Sequence, residues 1–170
     1  NVPGAPFPVY LAGATMESQF PFGPLAGAAL NITLLSYQND LNIGIALSNS
    51  TSSADAIANF PVNLAAAGKY VVTAAGVVGN TGATAFSLFV NGNAQESATI
   101  GSNVDIAVFH GSPDAPAIDA DAVFVADNVV SNLSFGQYTG YLSLPAAKYD
   151  IALQPAGTNT TVASFRADLS

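Results

Sequence analysis

The 170-residue chain has no cysteine, no tryptophan and one histidine, His110. Without cysteine there is no disulfide, no thiolate zinc site and no cysteine nucleophile. Lys and Arg together number 3 against 11 Asp and Glu, a net charge of −8. Three cations cannot track a phosphate backbone, so nucleic-acid binding is excluded. They cannot form a polybasic membrane contact either. Charged residues make up 8% of the chain, against roughly a quarter in ordinary soluble domains. No apolar run approaches the ~20 residues of a membrane helix, so no membrane insertion is expected. The most apolar stretch, 70–78, is broken by Thr73 and Gly76. The start, Asn1-Val2-Pro3-Gly4, lacks the charged head and apolar block of a secretory leader, and the chain is expected to be a mature form.

What is present is apolar or neutral. Hydrophobic residues make up 50%, and Asn (14), Ser (15), Thr (11) and Gln (5) supply most of the polarity. Half-apolar composition argues against disorder. Ten prolines and fifteen glycines, spread along the chain, suit many short strands. Val123-Phe124-Val125, 149–153 and 105–109 read as strands bounded by Gly, Pro or Asn. Residues 86–90 run into Asn91-Gly92, a strong hairpin signal because both turn residues accept positive φ. Residues 54–58 and 64–67 are too short for convincing helices. The expectation is all-β with under about 10% helix.

An internal echo orders these strands. Residues 2–6 resemble 112–116, Val9-Tyr10-Leu11-Ala12-Gly13 resembles Val123-Phe124-Val125-Ala126-Asp127, and Phe22-Gly23 resembles Phe135-Gly136. Ile45-Ala46-Leu47 matches Ile151-Ala152-Leu153, and Phe60 with Leu64 matches Phe165 with Leu169. The reading is about one and a half Ig-like β-sandwich units: a first, degenerate unit over 1–103 and a second, partial unit over 104–170. The first lacks a leading strand and the second lacks trailing ones.

Chemistry-bearing residues are few. No Gly-x-Ser-x-Gly elbow accompanies His110, which reads as a hydrogen-bonded structural residue. Ser112-Pro113-Asp114-Ala115-Pro116 reads as a turn, its Ser and Asp side chains bonding nearby amides while the prolines fix φ. Asp119-Ala120-Asp121 places two carboxylates on one strand face. With Asp114 they are the calcium candidates, but no D-x-[DN]-x-[DN]-G loop exists, and no metal or cofactor is expected. Paired carboxylates for glycoside hydrolysis have no specific support. Asn31, Asn49, Asn132 and Asn159 begin Asn-x-Ser/Thr sequons, with Asn49 and Asn159 in the most loop-like settings.

The stretch Val108-Phe109-His110-Gly111-Ser112-Pro113-Asp114-Ala115-Pro116-Ala117-Ile118-Asp119 resembles the hallmark of domain of unknown function 4397, a secreted bacterial and archaeal family. Leu133-Ser134-Phe135-Gly136, 140–146 and Gln154-Pro155-Ala156-Gly157 resemble its other marks. The resemblance is close over 104–170 and faint over 1–103. It implies an extracellular β-sandwich, often in tandem copies at the cell surface, with no catalytic residues to assign. Ala147-Lys148 stands where the family usually has a glycine turn, and Gly4 stands where the second copy has Asp114.

Low charge and incomplete units together lead to a function. A soluble monomer usually carries ~25–35% charged surface residues, and exposed strand edges recruit strands. The expected protein is a secreted structural subunit at or outside the cell surface. It assembles head-to-tail with copies of itself into a filament, pilus or surface layer by edge pairing or strand exchange. The alternative is a monomeric cell-surface module that binds glycan or protein. With no catalytic motif, the chain is expected not to be an enzyme.

Overall fold

Alternation decides the local structure. From Ala56 to Leu64 inward and outward residues alternate, with Ala56, Ala58, Phe60, Val62 and Leu64 on the less exposed side. A period of two is the signature of a half-buried strand. The structure, a computed structural model, describes residues 7–11, 14–20, 38–46, 51–65 and 68–170. Among these residues the fold is all-β. It has antiparallel sheets, no α-helix, and only short 3-10 turns at Ser53–Asp55 and Gly82–Thr84. The chain divides into two compact units, Asn1–Tyr70 and Val71–Ser170.

The first unit contains β1 (Phe7–Leu11), β2 (Ala14–Phe20), β3 (Gln38–Ala46) and β4 (Ala56–Leu64), in the sheet order β2-β1-β3-β4. Ile43 pairs with Phe60 and Ile45 with Ala58, and Ile43, Ile45, Ala46, Val62 and Leu64 are buried. Pro61 sits opposite Asn42. A proline cannot donate to a ladder, and it is tolerated here because β4 is an edge strand.

The second unit contains β5 (Val71–Ala75), β6 (Ser87–Asn91), β7 (Asn103–Ile106), β8 (Ile118–Ala122), β9 (Ala126–Leu133), β10 (Leu142–Pro145), β11 (Lys148–Pro155) and β12 (Ala163–Asp168). Its largest sheet runs β12-β11-β8-β9, with β10-β7 and β5-β6 as two-stranded sheets. Ala120, Val130 and Leu133 form the buried centre, covered by Ile151 and Leu153 from β11 and by Leu142 from β10. That is sandwich-like packing, with one sheet's inner face closed by another's. Phe89 packs at a tilt against Phe109 (5.4 Å) and edge-to-face against Phe135 (5.5 Å), and Phe109 packs at a tilt against Tyr138 (4.6 Å). Through these rings β6 shares the core of the stretch that follows it.

Several local expectations differ from what forms. Asn91-Gly92 ends β6 without starting a hairpin, because β6 pairs backwards with β5 and not with a following strand. Val123-Phe124-Val125 is the tip of the β8–β9 hairpin rather than a strand, and Phe124 sits at φ 62, fully exposed. Of its proposed echo, 9–13, residues 9–11 lie in β1, whereas 123–125 form a turn, and 12–13 are outside the described residues. Of the proposed echo of 45–47 with 151–153, Ile45 and Ala46 end β3, Ile151–Leu153 lie inside β11, and Leu47 is outside the described residues.

Candidate functional site

The segment 108–119 enters from β7 and leaves into β8, and two buried polar side chains, His110 and Asp119, organise it. His110 is 4% exposed. Its Nε2 lies 2.9 Å from the Pro116 carbonyl and its Nδ1 lies 3.3 Å from the Ser112 amide. A carbonyl only accepts and an amide N–H only donates, so Nε2 carries the proton and Nδ1 accepts. The ring therefore closes the Ser112–Pro116 turn, a role the sequence reading gave to Ser112 and Asp114. The same residue's backbone holds a second loop: the Gly136 amide donates to the His110 carbonyl (2.8 Å), and the His110 amide donates to the Gln137 carbonyl (3.1 Å).

Asp119 uses both carboxylate oxygens. Oδ1 accepts the Asn132 amide at 2.6 Å and Oδ2 the Gly157 amide at 2.8 Å. These amides, Asn132 first, hold the carboxyl below the usual carboxylate range. Asn132 has φ 49 and Gly157 φ 74. Asp119 thus pins two left-handed backbone positions, one at the end of β9 and one in the turn after β11.

The three calcium candidates do not converge. Asp119 is occupied by amides, Asp121 accepts from the Gln154 side chain, and Asp114 is exposed on the turn. Among the described residues no three His, Asp or Glu side chains gather as a metal site would require. Of the sequon residues, Asn132 and Asn159 are exposed, while Asn31 and Asn49 lie outside the described residues. Lys148 and Arg166, two of the three cations, pair directly across β11 and β12 with Asp168 (2.8 Å) and Asp150 (3.0 Å). Such charges on the edge strand β12 are a common means of blunting edge pairing.

Beside this segment a cleft of 660 Å³ opens between the end of β6, the end of β9 and the loop 136–140. The sequence reading did not find it, since its walls come from three separated segments. Gly136 lines it and packs closely on the Phe89 ring. Gly136 has φ 81, and a Cβ there would lie 2.3 Å from the Phe89 ring, so only glycine fits. The Tyr138 hydroxyl lies 2.6 Å from Thr73 Oγ1 and 3.2 Å from the Phe89 carbonyl, and burial pushes its phenol up from the ordinary value.

Two different families are matched along the chain. Residues 104–170 match the model described as domain of unknown function (DUF4397), which supports the resemblance of that stretch. Residues 1–60 match the model described as WS/DGAT C-terminal domain. Two curated proteins named "Putative diacylglycerol O-acyltransferase", from strains CDC 1551 and H37Rv of Mycobacterium tuberculosis, are each 50% identical to this chain over 46 residues. That segment is 26% of this chain and 9% of theirs. No solved structure matches. The expectation that the chain is not an enzyme is corrected by these findings. The first 60 residues are similar to part of an acyltransferase family. The correction has a physical reason. Enzymes are legible through acid, base and nucleophile motifs, and residues 1–60 contain no histidine and no cysteine.

Proposed function

We propose that residues 1–64 act as a β-sheet portion of an acyltransferase that esterifies a diacylglycerol hydroxyl, with the second unit carried on it as a separate β-sandwich module. The support is the 50% identity over 46 residues with the two mycobacterial relatives. The sheet β2-β1-β3-β4 gives that stretch a definite form. Transfer of an acyl group to a hydroxyl needs a base to take the hydroxyl proton. His110 is not that base: its ring is buried and both nitrogens are engaged in its own turn. Residues 1–64 contain no histidine, and the part assigned to them is structural within the acyltransferase.

A segment exchange tests this. The 46-residue stretch of the mycobacterial relative that aligns with this chain is replaced by its counterpart from this chain, and triacylglycerol formation from palmitoyl-CoA and dioleoylglycerol is compared with the parent. The proposal expects a folded chimera within a few-fold of the parent's rate. A folded but inactive chimera, beside an active parent, contradicts it.

A further inference from the structure

We propose that the 660 Å³ cleft of the second unit binds a neutral, hydroxyl-rich ligand, a short oligosaccharide, through the side chains of Asn93, Ser131, Asn132 and Gln137. The site goes beyond the acyltransferase reading, which concerns residues 1–64, and stands independently of it.

Chemistry excludes most other small ligands. None of the residues lining the cleft is charged, in a chain with 11 acids. Phosphates and carboxylates are recognised by Arg and Lys forks, and cations by carboxylates, so neither finds a partner here. The lining is rich in carboxamides and hydroxyls, which suits a polar ligand better than a hydrocarbon. A carboxamide sets a donor beside an acceptor, and a hydroxyl is both. A sugar's neighbouring hydroxyls present that same alternation. The volume lies in the range of about 300–1,000 Å³ typical of small-molecule sites.

The cleft is also held in shape before any ligand arrives. Asn91 Oδ1 accepts the Asn93 amide at 3.0 Å, fixing the turn that carries Asn93. Asp119 holds the Asn132 amide, so the left-handed position at φ 49 is anchored from below. His110 holds the Gly136 and Gln137 backbone, and Gln137 Oε1 accepts the Ser134 amide at 3.2 Å. Asn93, Ser131, Asn132 and Gln137 are all exposed on this braced frame. A prepaid backbone lowers the ordering cost of binding. On this account His110 and Asp119, the buried polar residues of the segment 108–119, are positioning residues for the cleft walls.

The test uses the full chain with maltotriose, cellotriose, mannotriose and triacetylchitotriose, read by titration calorimetry and saturation-transfer NMR. At least one trisaccharide is expected to bind with a Kd of about 10 μM to 1 mM. The double variant Asn93→Ala/Asn132→Gly removes two side chains while glycine keeps the positive φ at 132. It is expected to weaken binding at least tenfold with the circular-dichroism spectrum unchanged. Asn159→Ala, in a separate exposed turn, is expected to bind as the parent does. Should the Asn132→Gly change disturb the fold, Asn93→Ala alone still reports, with a several-fold loss expected. The proposal is overturned if no trisaccharide binds at about 10 mM. It is equally overturned if folded variants bind like the parent, or if an uncharged peptide such as N-acetyl-triserine amide binds as well as the sugars do.

Discussion

Gly136→Ala gives the clearest mechanical test of the second unit. Gly136 sits at φ 81, and a methyl there would lie 2.3 Å from Cε1 of Phe89. The left-handed backbone costs a residue with a Cβ about 1–2 kcal/mol. Forcing a methyl into a packed ring costs about 1–3 kcal/mol more, because Phe89 is held by Phe109 and Phe135 and cannot simply swing away. The expected loss is about 2–5 kcal/mol. In a unit of about 100 residues each kcal/mol lowers Tm by about 4–8 °C, so a drop of at least ~8 °C is expected. Urea unfolding followed by near-UV circular dichroism suits the assay, since the rings themselves report. Phe89→Ala removes the atom that the methyl meets. Adding it to Gly136→Ala should therefore recover the packing part, a coupling of about 1–3 kcal/mol, and leave the φ part in place. A Gly136→Ala variant within about 0.5 kcal/mol of the parent would refute the reasoning. So would a double-mutant cycle with no coupling.

Three further outcomes follow from the same geometry. His110→Phe keeps the ring volume but strands the Ser112 amide and the Pro116 carbonyl, and should cost about 2–4 kcal/mol by chemical denaturation. Tyr138→Phe removes the hydroxyl beside Thr73 and the Phe89 carbonyl and should cost about 1 kcal/mol; a neutral result would mean the hydroxyl is solvated in place. Asp119, Asp150 and Asp168 are all held below their ordinary pKa, by the Asn132 and Gly157 amides, by Arg166 and by Lys148 with Ser170 respectively. Their stabilisation is complete above the unfolded value near 4 and is lost as pH falls through the lower folded values. Tm of the second unit should fall between pH 4 and pH 2, and Asp119→Asn should flatten that fall; identical profiles would rule Asp119 out as its source.

The all-β character was readable because alternation and turn residues act locally. The strand 56–64 shows it in its own composition, with small or apolar residues at every second place. Pairing was less readable. Asn91-Gly92 suits a tight turn, yet the aromatic contacts of Phe89 commit β6 to β5 and the core behind it. Val123-Phe124-Val125 has strand composition, but the backbone reverses there to return β9 against β8, leaving Phe124 exposed at φ 62. The segment 108–119 was visible as a motif, whereas its working parts were not. Proline and aspartate suggested a self-closing turn, and the closure comes from the His110 ring. The partners of Asp119, at 132 and 157, lie too far along the chain for spacing to reveal. The acyltransferase similarity of residues 1–60 was hidden for a related reason: sheet segments carry no reaction in their residue types.

The motif residues work on their own backbone, with His110 as the brace. Long-range 1H–15N correlation of the His110 ring reads the tautomer itself. The expected result is a single slowly exchanging tautomer with the proton on Nε2, bonded to the Pro116 carbonyl, and an unprotonated Nδ1 receiving the Ser112 amide. A proton on Nδ1, or a ring averaged between tautomers and open to solvent, would contradict it.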